Sequence, residues 1–201
     1  RPSSVTLTRI VLVEPQHPGN VGAVARAMVN FAIDDLALVK GCEIDDDGYA
    51  RSKSGKPILE NLSRFDTLKE ALADCDVAIA TSGIKPEGDK RWFRAPKSVK
   101  ELPDLIKERE KPALIFGREN YGLYREELAL CETTITIPTN PKFPILNLSH
   151  AVGIVLYEIY RDGNHKNPKK RKAVSNEEFE RLVDRIMDLL EKTSYPRRRL
   201  D

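Results

Sequence analysis

The sequence predicts an α/β domain built on a largely parallel, Rossmann-like sheet, and three observations carry that expectation. Short apolar runs of strand type recur at Ile10–Val13, Leu36–Val39, Val77–Ala80, Ala113–Phe116 and Thr133–Ile137. Segments with helical spacing lie between most of them, the pattern of consecutive βαβ units. With 201 residues, 40% of them hydrophobic, the chain is long enough to bury a core without disulfides or a structural metal.

Taken in order, the first helix follows Pro18-Gly19-Asn20. Val21, Val24, Ala25, Met28, Val29 and Ala32 fall at i, i+3, i+4, i+7, i+8 and i+11, an unbroken apolar stripe, with Asn20 placed to cap it. A weaker helix is expected within 50–60, and Leu68–Ala73 and Val99–Glu108 read as helical. Leu148, Ala151, Val152, Val155 and Ile159 stripe another helix ending near Arg161. Asp162-Gly163-Asn164-His165-Lys166-Asn167-Pro168 then reads as a linker. The chain therefore divides into a domain over 1–162, a basic linker over 163–174, and an amphipathic helix with its tail over 175–201. Ser175-Asn176-Glu177-Glu178 is a capping box for that helix, whose apolar face is Phe179, Leu182, Val183, Ile186 and Leu190. A single helix cannot bury its own face, so it must dock on the domain, on a second subunit or on a further part of the protein.

Composition excludes several classes. The longest apolar runs, such as Ile10–Val13, fall far short of the ~20 residues needed to span a bilayer. Arg1-Pro2-Ser3-Ser4 opens no signal-peptide run, so cytosol is the expected compartment. Cys42, Cys75 and Cys131 form no C-x-x-C pair and His17, His150 and His165 are not spaced as ligands, so no metal is expected. Lys+Arg 33 against Asp+Glu 31 leaves a net charge of only +2, but the charges are segregated. Lys85, Lys90, Arg91, Arg94, Lys97 and Lys100 crowd one segment around Trp92 and Phe93, and Lys166, Lys169, Lys170, Arg171 and Lys172 another, while Glu43 and Asp45–Asp47 concentrate acid elsewhere. Cations interleaved with aromatics suit phosphates and stacked bases.

Four segments could carry chemistry, and each also has a purely structural explanation. Gly22, Arg26 and Asn30 share a helix face distinct from the apolar stripe, and the small Gly22 and Ala23 allow something to approach the backbone beside the guanidinium; alone, this is also what a solvated arginine looks like. Phe116-Gly117-Arg118-Glu119-Asn120-Tyr121-Gly122-Leu123 follows an apolar strand, where open α/β sheets place ligands, or is simply a tight turn. Ile137 to Ser149 is stiffened by three prolines, and Asn147 and Ser149 stand at the mouth of the next helix, able to cap it or to touch a ligand. Thr81-Ser82-Gly83 leaves a strand and opens the first basic segment.

Together, the order and spacing of these segments resemble the SpoU branch of the SPOUT RNA methyltransferases, most closely the TrmJ-like tRNA 2′-O-methyltransferases. The matching motifs are Pro18-Gly19-Asn20-Val21-Gly22-Ala23-Val24-Ala25-Arg26, Ile115 to Leu123, and Ile137-Pro138 with Leu146-Asn147-Leu148-Ser149-His150-Ala151, and the likeness covers roughly 8–161. Alternation alone describes an open sheet without a knot. The resemblance instead implies a C-terminal deep trefoil knot in which S-adenosylmethionine binds, with Thr81, Ser82, Gly83, Gly117, Ile137, Ile145, Leu146, Asn147 and Leu148 as its binding residues. It implies methyl transfer to a ribose 2′-hydroxyl of tRNA in the anticodon loop, at nucleotide 32, by a homodimer whose sites borrow from both chains. The alternatives are a ribosomal RNA substrate and a non-catalytic RNA-binding protein. Arg26 takes the catalytic arginine's place, with Asn20 and Glu119 holding it and the substrate, and Asn147 and Ser149 completing the polar set. A guanidinium, with a pKa above ~12, is a poor base, so orienting phosphate and stabilising a developing alkoxide is the preferred role. Lys90, Arg91, Arg94, Lys169, Lys170 and Arg171 are the expected RNA contacts. Many relatives carry serine where this chain has Ile145, which removes one hydroxyl contact.

Overall fold

Ile10 to Val13 are all at most 1% exposed, which only a central strand covered on both faces achieves. A computed structural model describes residues 7–83, 96–161 and 175–192 of the chain. Its strands are β1 (Arg9–Val13), β2 (Asp35–Val39), β3 (Ser63–Phe65), β4 (Val77–Ser82), β5 (Lys97–Ser98), β6 (Pro112–Phe116) and β7 (Thr133–Thr136). They form one sheet in the order β3-β2-β1-β6-β4-β7-β5, every pairing parallel. The helices are α1 (Pro18–Asn30), α2 (Asp46–Ser52), α3 (Lys56–Glu60), α4 (Leu68–Leu72), α5 (Leu102–Ile106), α6 (Arg125–Ala129), α7 (Leu148–Arg161) and α8 (Asn176–Lys192).

The pleat sorts the core into two layers. Ile10 and Leu12 of β1 face one way with Leu36, Leu38, Ile79, Leu114 and Phe116, under α1, α3, α5 and α7. Val11 and Val13 face the other way with Ala37, Val39, Ala78 and Ile115, under α4. Fully burying one such side chain contributes ~1.5–3 kcal/mol. Val21, Val24 and Met28, all 0% exposed, therefore hold α1 in place more firmly than its ends do.

Several local expectations need correction. Asn20 does not cap α1: the helix starts earlier, His17 is the cap residue without a side-chain cap bond, and Pro18 takes the first helical position, where its missing N–H costs nothing. The helix expected within 50–60 is two helices, because Pro57 fits only a first turn. Asp45 caps α2 by accepting from the Gly48 N–H at 3.0 Å, a 3-10 turn follows at Lys53–Gly55, and α3 starts afresh. The expected helix 99–108 splits likewise into a 3-10 turn at Val99–Glu101 and α5. The short edge strands β3 and β5 and the fully unburied helix α6 carry no apolar pattern that would announce them.

α8 begins at the capping box: the Ser175 N–H donates to Glu178 Oε2 at 3.0 Å, and Glu178 N–H to Ser175 Oγ at 3.2 Å. Backbone bonds dock its start. The N–H groups of Asn176 and Glu177 donate to the carbonyls of Cys75 (2.8 Å) and Ala73 (3.1 Å), and Asn176 Nδ2 to that of Leu72 (2.9 Å), at the open end of α4. Phe179, Leu182, Val183 and Ile186 stay exposed. The linker 163–174, its basic residues Lys169, Lys170 and Arg171, and Lys90, Arg91 and Arg94 lie outside the described residues. Among the described residues no helix is long and apolar enough to cross a membrane, and no group of His, Cys, Asp and Glu is arranged to hold a metal.

Candidate active site

β6 enters the sheet between β1 and β4, and β7 between β4 and β5, so strands distant in sequence end side by side. Their carboxyl ends enclose a cavity of about 410 Å³, within the ~300–1,000 Å³ of small-molecule sites. Three segments line it: Thr81, Ser82 and Gly83 from the end of β4, Phe116 to Arg125 after β6, and Ile137 with Pro144, Ile145, Leu146 and Leu148 from the approach to α7. Thr81 and Ser82 are still in the strand, paired with Ile135 and Thr136. The Thr81 hydroxyl donates to the Ile115 carbonyl at 3.0 Å, so it fastens the strand ends together. The Thr139 hydroxyl similarly donates to the Pro144 carbonyl at 3.0 Å, closing the proline-rich loop.

Gly117 is required by close approach. A Cβ there would stand 2.2 Å from the backbone carbon of Gly122, which itself adopts φ +66°. Backbone bonds between Arg118 and Gly122, at 3.1 and 2.9 Å, close the loop between them into a tight tongue.

One wall of the cavity continues into a chain of polar side chains. Glu119 lines the cavity and accepts from Asn20 Nδ2 at 3.0 Å and from the Gln16 N–H at 3.2 Å. Asn20 Oδ1 in turn accepts from Asn147 Nδ2 at 3.0 Å, and Asn147 Oδ1 accepts from the Ser149 hydroxyl (2.8 Å) and N–H (3.0 Å). Asn147 thus caps α7 and joins the chain at once, and it does not line the cavity itself. Four of the five expected catalytic residues meet here, drawn from α1, the β6 loop and the α7 start. Spared from capping α1, Asn20 keeps its side chain for this chain of bonds.

Arg26 stands apart. It is exposed and, among the described residues, makes no hydrogen bond or ion pair, so within one chain Asn20 and Glu119 do not hold it. Six residues turn a helix through roughly 600°, leaving Asn20 and Arg26 about 120° apart around the axis. Arg118 and Gln16 also belong to this site, though neither is among the residues the sequence assigns a role there. Arg118 Nε donates to Glu14 Oε2 at 2.8 Å and holds that carboxyl below the usual range, chiefly through this bond. Asn120 Nδ2 donates to Gln16 Oε1 at 3.2 Å. Arg118 lies between Gly117 and Gly122, but its partners Glu14 and Glu127 are remote in sequence, and no apolar or glycine pattern flags Gln16.

The sequence model of the SpoU rRNA Methylase family matches residues 7–157. The chain is 37% identical over 192 residues to the tRNA (cytidine-2′-O-)-methyltransferase TrmJ of Methanocaldococcus jannaschii, covering 94% of this chain and 83% of that protein. It is 40% identical over 189 residues to the tRNA (cytidine-2′-O-)-methyltransferase TrmJ of Sulfolobus acidocaldarius, covering 90% and 77%. The crystal structure of TrmJ from Z. mobilis ZM4 superimposes with a TM-score of 0.76 at 31% identity, over 94% of this chain and 81% of that one.

Proposed function

Because this chain belongs to the SpoU rRNA Methylase family, we propose that it transfers a methyl group from S-adenosylmethionine to a ribose 2′-hydroxyl of tRNA in the cytoplasm. The observation that carries this reading is the double role of Glu119, which lines the cavity and begins the Asn20–Asn147–Ser149 chain. A small-molecule cavity and a polar cluster able to orient a hydroxyl thereby share one side chain.

The cavity suits the methyl donor. Ile137, Ile145, Leu146 and Leu148 offer apolar surface for an adenine ring, and the backbones of Thr81–Gly83 and Gly117 offer hydrogen-bonding groups at the strand ends. We read the threading of 137–148 beside those two loops as the family's trefoil knot. When bound, the donor supplies a methyl carbon on an activated sulfonium leaving group. The chain's own task is then to align and polarise the ribose hydroxyl. Asn20 and Asn147 hold each other and Glu119 in a fixed arrangement, which lowers the cost of reorganisation as charge develops. Arg26, cationic and without a partner among the described residues, is suited to a substrate phosphate and to the developing alkoxide.

The isolation of Arg26 supports a homodimeric site, in which the exposed face of α1 meets a second chain. Val29 of α1 and Tyr157 and Tyr160 of α7 are also exposed, and the Phe31 and Tyr160 rings pack edge to face at 5.7 Å between them. The names of the relatives in M. jannaschii and S. acidocaldarius support cytidine as the base, and we take nucleotide 32 of the anticodon loop as the position. Lys90, Arg91, Arg94, Lys169, Lys170 and Arg171 would supply phosphate contacts around it.

Methylation mapping on tRNA and ribosomal RNA transcripts, each incubated with protein and donor, tests the reading. A 2′-O-methyl group on tRNA at position 32 is expected. Arg26→Ala should abolish transfer while donor binding, followed by calorimetry, is largely kept. Methylation of ribosomal RNA alone, or full turnover by Arg26→Ala, would overturn the assignment.

A further inference from the structure

Arg118 has only 5% of its side chain exposed, and the guanidinium is shared among three pieces of the chain. Nε donates to Glu14 Oε2, just past β1, at 2.8 Å; Nη1 and Nη2 donate to the two carboxylate oxygens of Glu127, in α6, at 3.0 and 2.9 Å. Nη1 also reaches the Gly122 carbonyl at 3.3 Å, and the Tyr124 ring centroid lies 4.0 Å from the guanidinium carbon. Planar, forked and permanently charged, arginine is the side chain that can engage two carboxylates and an aromatic face together. Buried ion pairs add little net stability, because desolvation offsets most of the attraction; their better-attested contribution is a fixed geometry.

What that geometry fixes is the neighbouring residue. Arg118 and Gly122 close the tongue, Arg118 ties it to β1 and α6, and Glu119 then reaches Gln16 and Asn20. We propose that Arg118 is a positioning residue for methyl transfer: anchored by Glu14 and Glu127, it sets Glu119 against Asn20 and so joins the donor cavity to the hydroxyl-orienting cluster. This rests on the reading of the cavity and the polar chain given above.

The test is a double-mutant cycle with Glu119, alongside a measurement that needs no turnover. Arg118→Gln should lower kcat for tRNA methylation about tenfold or more in the parent chain, but less than about twofold in a Glu119→Gln background. Arg118→Lys, which keeps the charge and can meet one carboxylate, should recover part of the loss. Equal losses in both backgrounds would show that Arg118 serves the fold alone and would overturn the proposal. By hydrogen exchange, Arg118→Gln should speed exchange within 14–22 and 117–124 and leave β2, β4 and α7 unchanged; unaltered exchange within 14–22 would also overturn it. Should Arg118→Gln fail to fold, the milder Glu14→Gln, at a partly exposed partner, is read the same way. A parent chain that leaves tRNA unmethylated would refute the tRNA reading, and the exchange result would still decide the anchor.

Discussion

A methyl group added at Gly22 would stand 2.0 Å from the carbonyl oxygen of Gly48. α1 and α2 touch there backbone to backbone, so the space beside Gly22 is already filled by α2, and no ligand approaches it. The sequence shows only that a small residue lies beside an arginine; which surface comes close depends on α2, twenty-six residues on. Alanine in place of glycine inside a helix is ordinarily favourable by ~1 kcal/mol, whereas overpacking of this kind costs roughly 1–3 kcal/mol. Gly22→Ala should therefore lower the melting temperature. A variant as stable as the parent would show that the two helices can separate at no cost.

At the scale of elements, α8 and α4 complete one another. Just beyond α4, the carbonyls of Ala73 and Cys75 accept from the first N–H groups of α8, and the Leu72 carbonyl, which also accepts from the Cys75 N–H, takes the Asn176 side chain. α8 buries no residue, and Lys69–Glu180, at 3.0 Å, is an exposed pair of small worth. Asn176→Ala removes the side-chain bond to the Leu72 carbonyl, worth ~1 kcal/mol. Faster hydrogen exchange across 175–192 is expected, with β1 and β6 unchanged; loss of protection in those strands would mean that α8 belongs to the cooperative core. The amphipathic pattern and capping box of α8 are plain in the sequence. Its docking by the first turn is not, since the carbonyls it meets belong to a helix about a hundred residues earlier.

Across the whole molecule, the central strands β1 and β6 are bracketed by ionic networks. At their amino ends, buried Arg9 bonds Asp35 (3.0 Å) and Asp74 (2.6 Å), and Lys111 bonds Asp74. At their carboxyl ends stand Glu14, Arg118 and Glu127. The Glu14 carboxyl is held low by its bond from Arg118. Burial pushes Asp74 up, but the bonds from Lys111 and Arg9 outweigh it and hold it low as well. A carboxyl lowered in the folded state contributes stability that is fully present above its ordinary pKa, about 4. That contribution is lost as pH falls through the lower folded value. Acid unfolding monitored by circular dichroism should thus steepen below about pH 4, and Glu14→Gln should flatten that dependence. An unchanged acid profile in the variant would show that the Glu14 bond carries no stability. At the same amino end, burial raises the Cys75 thiol to about 12, in keeping with a structural cysteine.

By itself the sequence determined the strands at the centre of the sheet, the long helices α1, α7 and α8, and the three segments, after β4, after β6 and before α7, that line the cavity. Each of these writes a local pattern: apolar runs buried on both faces, a helical stripe, or glycine and proline at strand ends. The tertiary structure alone decided that Asn20, Glu119, Asn147 and Ser149 form one bonded chain, that Arg26 stands outside it, and that Arg118 is tied down by Glu14 and Glu127. Glu119 and Asn20 are separated by 99 residues and meet at 3.0 Å because β6 is inserted beside β1. Polar contacts set by strand order leave no periodic trace in the chain that makes them.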